Sequence, residues 1–143
     1  PEHSVHAYIF GGCAVHLHTA ARASSDVDVE FCYDDLVMAS ASFQYSSDWK
    51  ELLRKLAQST GKYLYIAELP IIEKADSFVF VQRPYRYGYD TEYLAWCLNS
   101  SIFQEQAEQS GLRLEREFIY GYRPFIHRAP EQNEYRGFLF SRK

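Results

Sequence analysis

Two polar side chains, Gln44 and Tyr45, follow closely after a predicted strand of small and apolar residues. The strand covers residues 36–40, and Ala-Ser-Phe then leads to these two residues just before a helix begins. In α/β proteins the loop at the carboxyl end of a strand is where ligands bind. The sequence therefore predicts that Gln44 and Tyr45 border the main pocket, which the small residues at 39–42 keep open.

A tyrosine-rich segment within residues 83–98 is the second candidate for contact with a ligand. Tyrosine and tryptophan provide large flat surfaces with a polar group at one end. The segment is therefore compatible with two arrangements, the wall of an acceptor pocket or a lid packed on its own sheet. Its candidate residues are Tyr85, Tyr87, Tyr89, Tyr93 and Trp96.

Histidine and cysteine side chains are concentrated near the beginning of the chain, with some spacings that can hold zinc. Two of these histidines, His16 and His18, would point to different sides of a helix, and no second pair of ligands follows. We therefore predict no metal site. The residues concerned are His3, His6, Cys13, His16 and His18.

The helix after Tyr45 has clear signals at its first turn and on one face. Asp48 is the expected N-cap, and Glu51, three residues later, completes a capping box. Apolar residues recur on one face, and Gly61 lies where a left-handed C-cap is expected. The next strand, residues 62–69, is expected to end before Pro70, because proline interrupts the hydrogen bonds of a sheet.

The last two predicted strands, residues 112–120 and 135–142, have no helix between them, and their link contains two prolines. Parallel strands need a crossover, usually a helix. This closing pair should therefore be antiparallel, whereas the strands at 36–40 and 63–69, joined by a helix, should be parallel neighbours. A further strand is predicted near residues 78–81.

The remaining predicted elements lie at the front of the chain and before the closing pair. A short strand at residues 7–10 ends in the turn Gly11-Gly12, and alternation of apolar and charged residues predicts another strand at 27–31. A helix is predicted over residues 13–23, and another from about residue 99 to 111.

Composition and charge limit the class of protein. The chain has 143 residues, which fits a single domain over residues 1–143. Its net charge of −4 offers no basic surface for a nucleic-acid backbone. No apolar run approaches the ~18 residues of a membrane span, and no signal peptide is visible. Its 3 Cys are odd in number and widely spaced, which indicates reduced thiols in a cytoplasmic protein.

Several segments, in order, resemble the class I S-adenosylmethionine-dependent methyltransferases, whose sheet ends in an antiparallel hairpin. The segment "DDLVMASASFQYSSDWKELLRKL" is similar to the fourth strand and helix of a family described only as methyltransferases. "YLYIAELPII" resembles its fifth strand, and "SFVFVQ" and "GLRLEREF" continue the order. The resemblance covers residues 33–143. It implies an α/β, Rossmann-like methyltransferase sheet, mostly parallel, with a C-terminal antiparallel hairpin.

The resemblance also implies S-adenosyl-L-methionine as the cofactor and methyl transfer to a small or carbohydrate-linked acceptor. "YIFGG" resembles the glycine turn of the family, so Gly11 and Gly12 would approach the cofactor, and Ser40, Gln44 and Tyr45 would contact it. The residues expected against the acceptor are Tyr87, Tyr89, Tyr93 and Trp96. The candidates for a general base, needed only if the acceptor carries a proton, are Tyr45 and His127.

The chain departs from that family at its front. Too few residues separate Gly12 from Asp34 for the expected strands and helices, since one βαβ unit takes about 30 residues. The second strand, with its ribose-binding acid, is not identifiable, so the sheet is expected to be incomplete at its N-terminal side. Residues 8–10 would then neighbour the strand at 36–40 and expose an edge.

Two expectations follow from this departure. Either natural sequence is missing between about Gly12 and Tyr33, or a second copy of the chain covers the exposed edge as a homo-oligomer. The alternative function is a non-catalytic α/β module that has lost cofactor binding and serves in interaction or assembly.

Overall fold

The computed structural model describes residues 29–33, 35–83, 85, 88 and 90–143. Within these ranges the chain forms seven strands and two α-helices, and a short 3₁₀ turn covers Phe43–Tyr45. The elements are β1 (Val29–Tyr33), β2 (Leu36–Ser40), α1 (Trp49–Ser59), β3 (Tyr63–Ile72), β4 (Phe78–Gln82), β5 (Tyr93–Asn99), α2 (Ser100–Gln109), β6 (Leu112–Ile119) and β7 (Glu134–Arg142).

Strand β3 is the centre of the sheet, because it pairs with three other strands. One edge pairs antiparallel with β7, from Tyr63 to Ile71. The other edge pairs in parallel with β2 as far as Ala67, and then in parallel with the end of β5 at Ile71 and Ile72. Outside this centre, β6 pairs with β7, β4 with β5 and β1 with β2, all antiparallel.

The expectation of a mostly parallel, Rossmann-like sheet is wrong. Of the six strand pairings among the described residues, four are antiparallel and two are parallel, so the sheet is mixed. The physical reason is the length of the connections. Only short turns join β1 to β2, whereas parallel neighbours need a crossover. The chain between β4 and β5 likewise returns as a hairpin.

Two individual pairings are confirmed within this different architecture. The strands predicted at 36–40 and 63–69 are parallel neighbours, with α1 as their crossover. The closing strands β6 and β7 are antiparallel, as the helix-free link between them predicts. Sequence reasoning therefore located these neighbours correctly but extended the parallel arrangement too far.

The expected neighbour of β2 on its outer side is also corrected. Residues 8–10 were the expected strand there and lie outside the described residues, but that edge of β2 is paired with β1. The strand predicted at 27–31 is described from Val29 to Tyr33. An antiparallel hairpin therefore stands at the position where the resemblance implies a parallel strand.

Proline 70 does not end β3, which continues to Ile72. On the edge shared by β2 and β5, pairing stops at Ala67 and resumes at Ile71. Pro70 lies in this gap, where the absence of an N–H group is tolerated. The prediction that this strand stops before its proline is therefore wrong.

The caps of the two helices agree only in part with expectation. The Asp48 side chain accepts a hydrogen bond from the Glu51 N–H at 3.0 Å, as a capping box requires. At the other end of α1, Thr60 donates its hydroxyl to the Leu56 carbonyl at 2.7 Å. The left-handed backbone expected at Gly61 is absent, whereas Gly111, after α2, has a φ of 84°.

Phe103, on α2, is the ring around which the helices and the sheet pack. Its centroid lies 4.9 Å from Phe138 and 6.0 Å from Phe140, both on β7. It also lies 5.8 Å from Phe43, in the turn after β2, and 6.1 Å from Trp49 at the start of α1. One fully buried ring therefore joins four elements into one core.

We predict that Phe103→Ala lowers the free energy of unfolding by about 3–5 kcal/mol, because it leaves a cavity at the centre of this core. The neighbouring Ile102 is 39% exposed, so Ile102→Ala is the matched control and should cost less than about 1 kcal/mol. Urea unfolding followed by circular dichroism measures both values. Equal losses in the two variants would contradict the central position of Phe103.

Candidate functional site

Tyr45 contacts the β4–β5 hairpin from the turn that follows β2. Its ring centroid lies 6.0 Å from that of Tyr93, at an interplanar angle of 56°. Its hydroxyl donates a hydrogen bond of 2.8 Å to Oε1 of Gln82, the last residue of β4. The structure thus brings together Tyr45, expected on the cofactor side, and Tyr93, expected on the acceptor side.

The backbone after β2 explains this position of Tyr45. Ala41 has a left-handed backbone with a φ of 50°, and its N–H donates to the Ala67 carbonyl at 3.1 Å. The chain is therefore turned at the level where β2 stops pairing with β3. Phe43 enters the core, and Tyr45 is left half-buried against the hairpin.

Gln44 and Ser40, the other candidates at this strand end, have different environments. Ser40 is half-buried at the end of β2, opposite Ala67 in the sheet. The Gln44 side chain is buried, and its Oε1 has no hydrogen-bond partner among the described residues. A buried, unpaired amide oxygen is costly for a protein and marks a place where a donor group is missing.

The other candidate residues do not join this contact. Trp96 lies three positions from Tyr93 on β5, so the two side chains emerge on opposite faces of the strand. Trp96 packs against the hydrophobic core. His127 is exposed in the loop between β6 and β7. The candidates Gly11, Gly12, Tyr87 and Tyr89 lie outside the described residues.

Glu68, which sequence analysis did not identify, lies beside a group of tyrosine side chains. Glu68 has a left-handed backbone, with a φ of 56°, at the irregularity between Ile66 and Leu69 in the pairing with β7. The Tyr122 hydroxyl donates a hydrogen bond to Glu68 Oε1. Strained non-glycine residues of this kind concentrate at functional sites. No pattern in the sequence marks this position, because the bulge arises from the register of two strands distant in sequence.

The rings of this cluster pack on one another. The Tyr122 centroid lies 5.2 Å from that of Tyr135 and 6.0 Å from that of Tyr120. Tyr120 and Tyr65 share a hydrogen bond of 2.8 Å between their hydroxyls. We refer to Glu68, Tyr65, Tyr120, Tyr122 and Tyr135 as the tyrosine cluster.

The hydroxyls of Tyr120, Tyr122 and Tyr135 are held in their protonated form, because the pKa of each is raised in the folded protein. Burial, together with the nearby Tyr45, Tyr122 and Glu68, raises the pKa of Tyr135 to about 12. The hydrogen bond to Glu68 is the main reason why the pKa of Tyr122 is raised to about 12. At neutral pH both side chains are therefore hydrogen-bond donors and not bases.

A groove of about 930 Å³ adjoins both the contact of Tyr45 with the β4–β5 hairpin and the tyrosine cluster. One wall is the continuous segment 75–83, which contains β4, and the other is the loop 124–128 with Pro130. Gln82, which accepts from Tyr45, and Tyr135 of the tyrosine cluster line it. Gln44 and Tyr45, which were expected to border the main pocket, do not line this groove, and Tyr45 contacts it only through its hydrogen bond to Gln82.

Glu131 fastens the loop wall of the groove to the turn before β4. Its Oε1 accepts three backbone N–H bonds, from Glu73 at 2.9 Å, Lys74 at 2.7 Å and Ala75 at 2.8 Å. On the other side of the turn, the Asn99 amide donates to the carbonyls of Glu73 and Ala75. Both walls of the groove are therefore anchored at the same turn, residues 73–75.

Two further observations concern metals and membranes. Among the described residues, no three histidine, cysteine, aspartate or glutamate side chains are grouped so as to hold a metal ion. The histidines at the front of the chain lie outside those residues. No described helix is both long and apolar enough to cross a membrane.

No family model matches the chain, and no curated protein matches it.

We predict that Glu131→Gln lowers stability at neutral pH, because three N–H bonds favour the ionised carboxylate. These bonds, chiefly those from Ala75 and Lys74, lower the pKa of Glu131 in the folded protein. The stabilisation is therefore fully present above the unfolded pKa of about 4.3 and is lost as the pH falls through the lowered value. Urea unfolding at a series of pH values should show the variant and the wild type converging in acid. Glu105→Gln, at an exposed position of α2, should show no such difference.

A second prediction concerns the strained backbone of Glu68. Glu68→Gly should be more stable than Glu68→Ala by about 1 kcal/mol, because alanine keeps the cost of a left-handed backbone and glycine removes it. At Lys55, an exposed position of α1, the order should reverse, since glycine costs about 1 kcal/mol in a helix. Thermal unfolding of the four variants measures both differences. The same order at both positions would contradict a strained Glu68.

Proposed function

We propose that this chain is an S-adenosylmethionine-dependent methyltransferase that acts on a small or carbohydrate-linked acceptor. The observation that carries this proposal is the contact of Tyr45 with Tyr93 and Gln82. The resemblance implies Tyr45 for the cofactor and Tyr93 for the acceptor. These two positions, distant in sequence, lie against each other in the fold, as the two substrates of a transfer reaction must.

The side chains near this contact fit one end of the implied cofactor. The unpaired amide oxygen of Gln44 can accept a hydrogen bond from an ammonium group such as that of the methionine part. Gly11 and Gly12, implied at the other end of the cofactor, lie outside the described residues. Among the described residues, Ser40, Gln44 and Tyr45 are therefore the ones that would contact the cofactor.

The chemistry asks mainly for positioning. S-adenosylmethionine, when bound, supplies a methyl group on a sulfonium, which is transferred by in-line displacement and depends on alignment. The Tyr45 hydroxyl donates its proton to Gln82, so the role of Tyr45 in this proposal is to position the cofactor beside Tyr93 and not to act as a base. Where the acceptor carries a proton, His127, which lines the same groove as Gln82, is the candidate general base.

A second candidate, a non-catalytic interaction module, is favoured by one observation. Both edges of β2 are paired, and Phe43 and Gln44 are buried at its carboxyl end. These side chains fill the place where a cofactor would enter in the family that the sequence resembles. The two candidates differ in one measurable property, the affinity for the cofactor.

We predict that S-adenosylhomocysteine binds this chain with micromolar affinity, worth about 8 kcal/mol, in a calorimetric titration. Tyr45→Phe removes one hydroxyl and should weaken binding about three- to tenfold, in line with the loss of one hydrogen bond. Tyr120→Phe is the matched control, since it also removes a hydroxyl from a bond of 2.8 Å, and it should bind as the wild type does. No heat at millimolar ligand would contradict the methyltransferase and support the interaction module.

A further inference from the structure

The outer edge of β4 is a surface that neither the proposed methyl transfer nor the core uses. Among the described residues β4 pairs with β5 alone and ends the sheet on that side. In an antiparallel pair, alternate residues of a strand direct their N–H and C=O groups away from the partner. The outer groups of β4 are therefore available to an additional strand.

This edge lacks the features with which proteins usually protect a free strand. Natural edges carry charged side chains, proline or bulges that discourage pairing. Strand β6, another edge of the described sheet, follows this rule, since it carries four charged residues within Leu112–Ile119. Strand β4 has the sequence FVFVQ, with no charge and no proline, and its pairing with β5 is regular.

The groove lies along this edge. Every residue from Ala75 to Arg83 lines it, which places the groove beside the full length of β4. A strand of this size is about 17 Å long. The facing wall, the loop that includes Ile126, His127 and Arg128, is anchored by Glu131. One wall of the groove is thus a strand edge to which no described strand is paired, and the second wall is held in place by Glu131.

The charged side chains that line the groove are Asp76, Arg83 and Arg128, so positive charge is in excess and indicates what the occupant carries. Arg83 is paired with Glu92 at 2.6 Å. Arg128 lines the groove and has no ion pair among the described residues. An occupant with a carboxylate near Arg128 would supply the missing counter-charge.

We propose that the β4 edge binds an extended, mainly apolar peptide segment as an additional strand, with an acidic side chain of the peptide facing Arg128. Backbone hydrogen bonds to β4 supply affinity in this mode, and side-chain contacts supply specificity. A second folded copy of this chain fits less well. It would bring its own β5 into the position of the loop wall, whereas a single strand fits between the two walls.

The test uses a fluorescein-labelled peptide of about eight residues, in which valine and threonine alternate around one central aspartate. Binding to the whole chain is followed by fluorescence anisotropy, without cofactor, so that the result does not depend on methyl transfer. We expect saturable binding with a Kd below about 1 mM. The control peptide has the same side chains but is N-methylated at alternate residues, which removes the donors for one edge and should abolish binding.

Variants of the protein locate the site. Val79 is 45% exposed on β4 and Ile119 is 70% exposed on β6. Val79→Lys should weaken binding at least tenfold, and Ile119→Lys, which also places a lysine at an exposed position but on the β6 edge, should leave it unchanged. Arg128→Glu should weaken binding about five- to tenfold, and a peptide with lysine in place of aspartate should recover it. Arg116→Glu, away from the groove, should have no effect.

Three outcomes would overturn the proposal. The first is equal binding of the N-methylated and the unmodified peptide, which would mean that backbone pairing is not involved. The second is no saturable binding of the unmodified peptide at millimolar concentration. The third is a dimer of the chain alone in sedimentation velocity that Val79→Lys dissociates, which would mean that a second copy occupies this edge. Slower amide hydrogen exchange within β4 on addition of the peptide would instead support the proposal that the peptide pairs with this strand.

Discussion

The arrangement of the described residues depends on the way β3 divides one of its edges between two strands. Strand β2 occupies this edge as far as Ala67 and β5 begins at Ile71, while β7 runs along the opposite edge. The carboxyl end of β2 must therefore lie beside the β4–β5 hairpin. The contact of Tyr45 with Tyr93 is a consequence of this division, and the left-handed backbone of Glu68 lies within the gap.

The end of β2, where Tyr45 lies, and the groove along β4 are connected through shared residues. Gln82 accepts a hydrogen bond from Tyr45 and lines the groove, and Tyr135 lines the groove and packs on Tyr122. A ligand in the groove would therefore touch side chains that also hold the strand end and the tyrosine cluster. The protonated Tyr135 hydroxyl, which lines the groove, can donate to an incoming oxygen atom, which suits binding and orientation more than proton abstraction.

The loop between β6 and β7 shows how a segment with few internal hydrogen bonds acquires a defined position. Glu131 exchanges contact with water for three backbone N–H groups of the turn before β4. Hydrogen bonds to a charged group are stronger than those between neutral groups. One carboxylate thereby determines the width of the groove, and a change at this residue is expected to affect the groove more than the core.

The sequence by itself determined the elements whose signals are local. The capping box of α1, the crossover that makes β2 and β3 parallel and the helix-free link that makes β6 and β7 antiparallel all depend on residues close in the chain. Only the tertiary structure decided that the sheet is mixed, that β3 continues through Pro70 and that Glu68 lies among tyrosines. These features depend on the register between distant strands, which packing sets and no local pattern records.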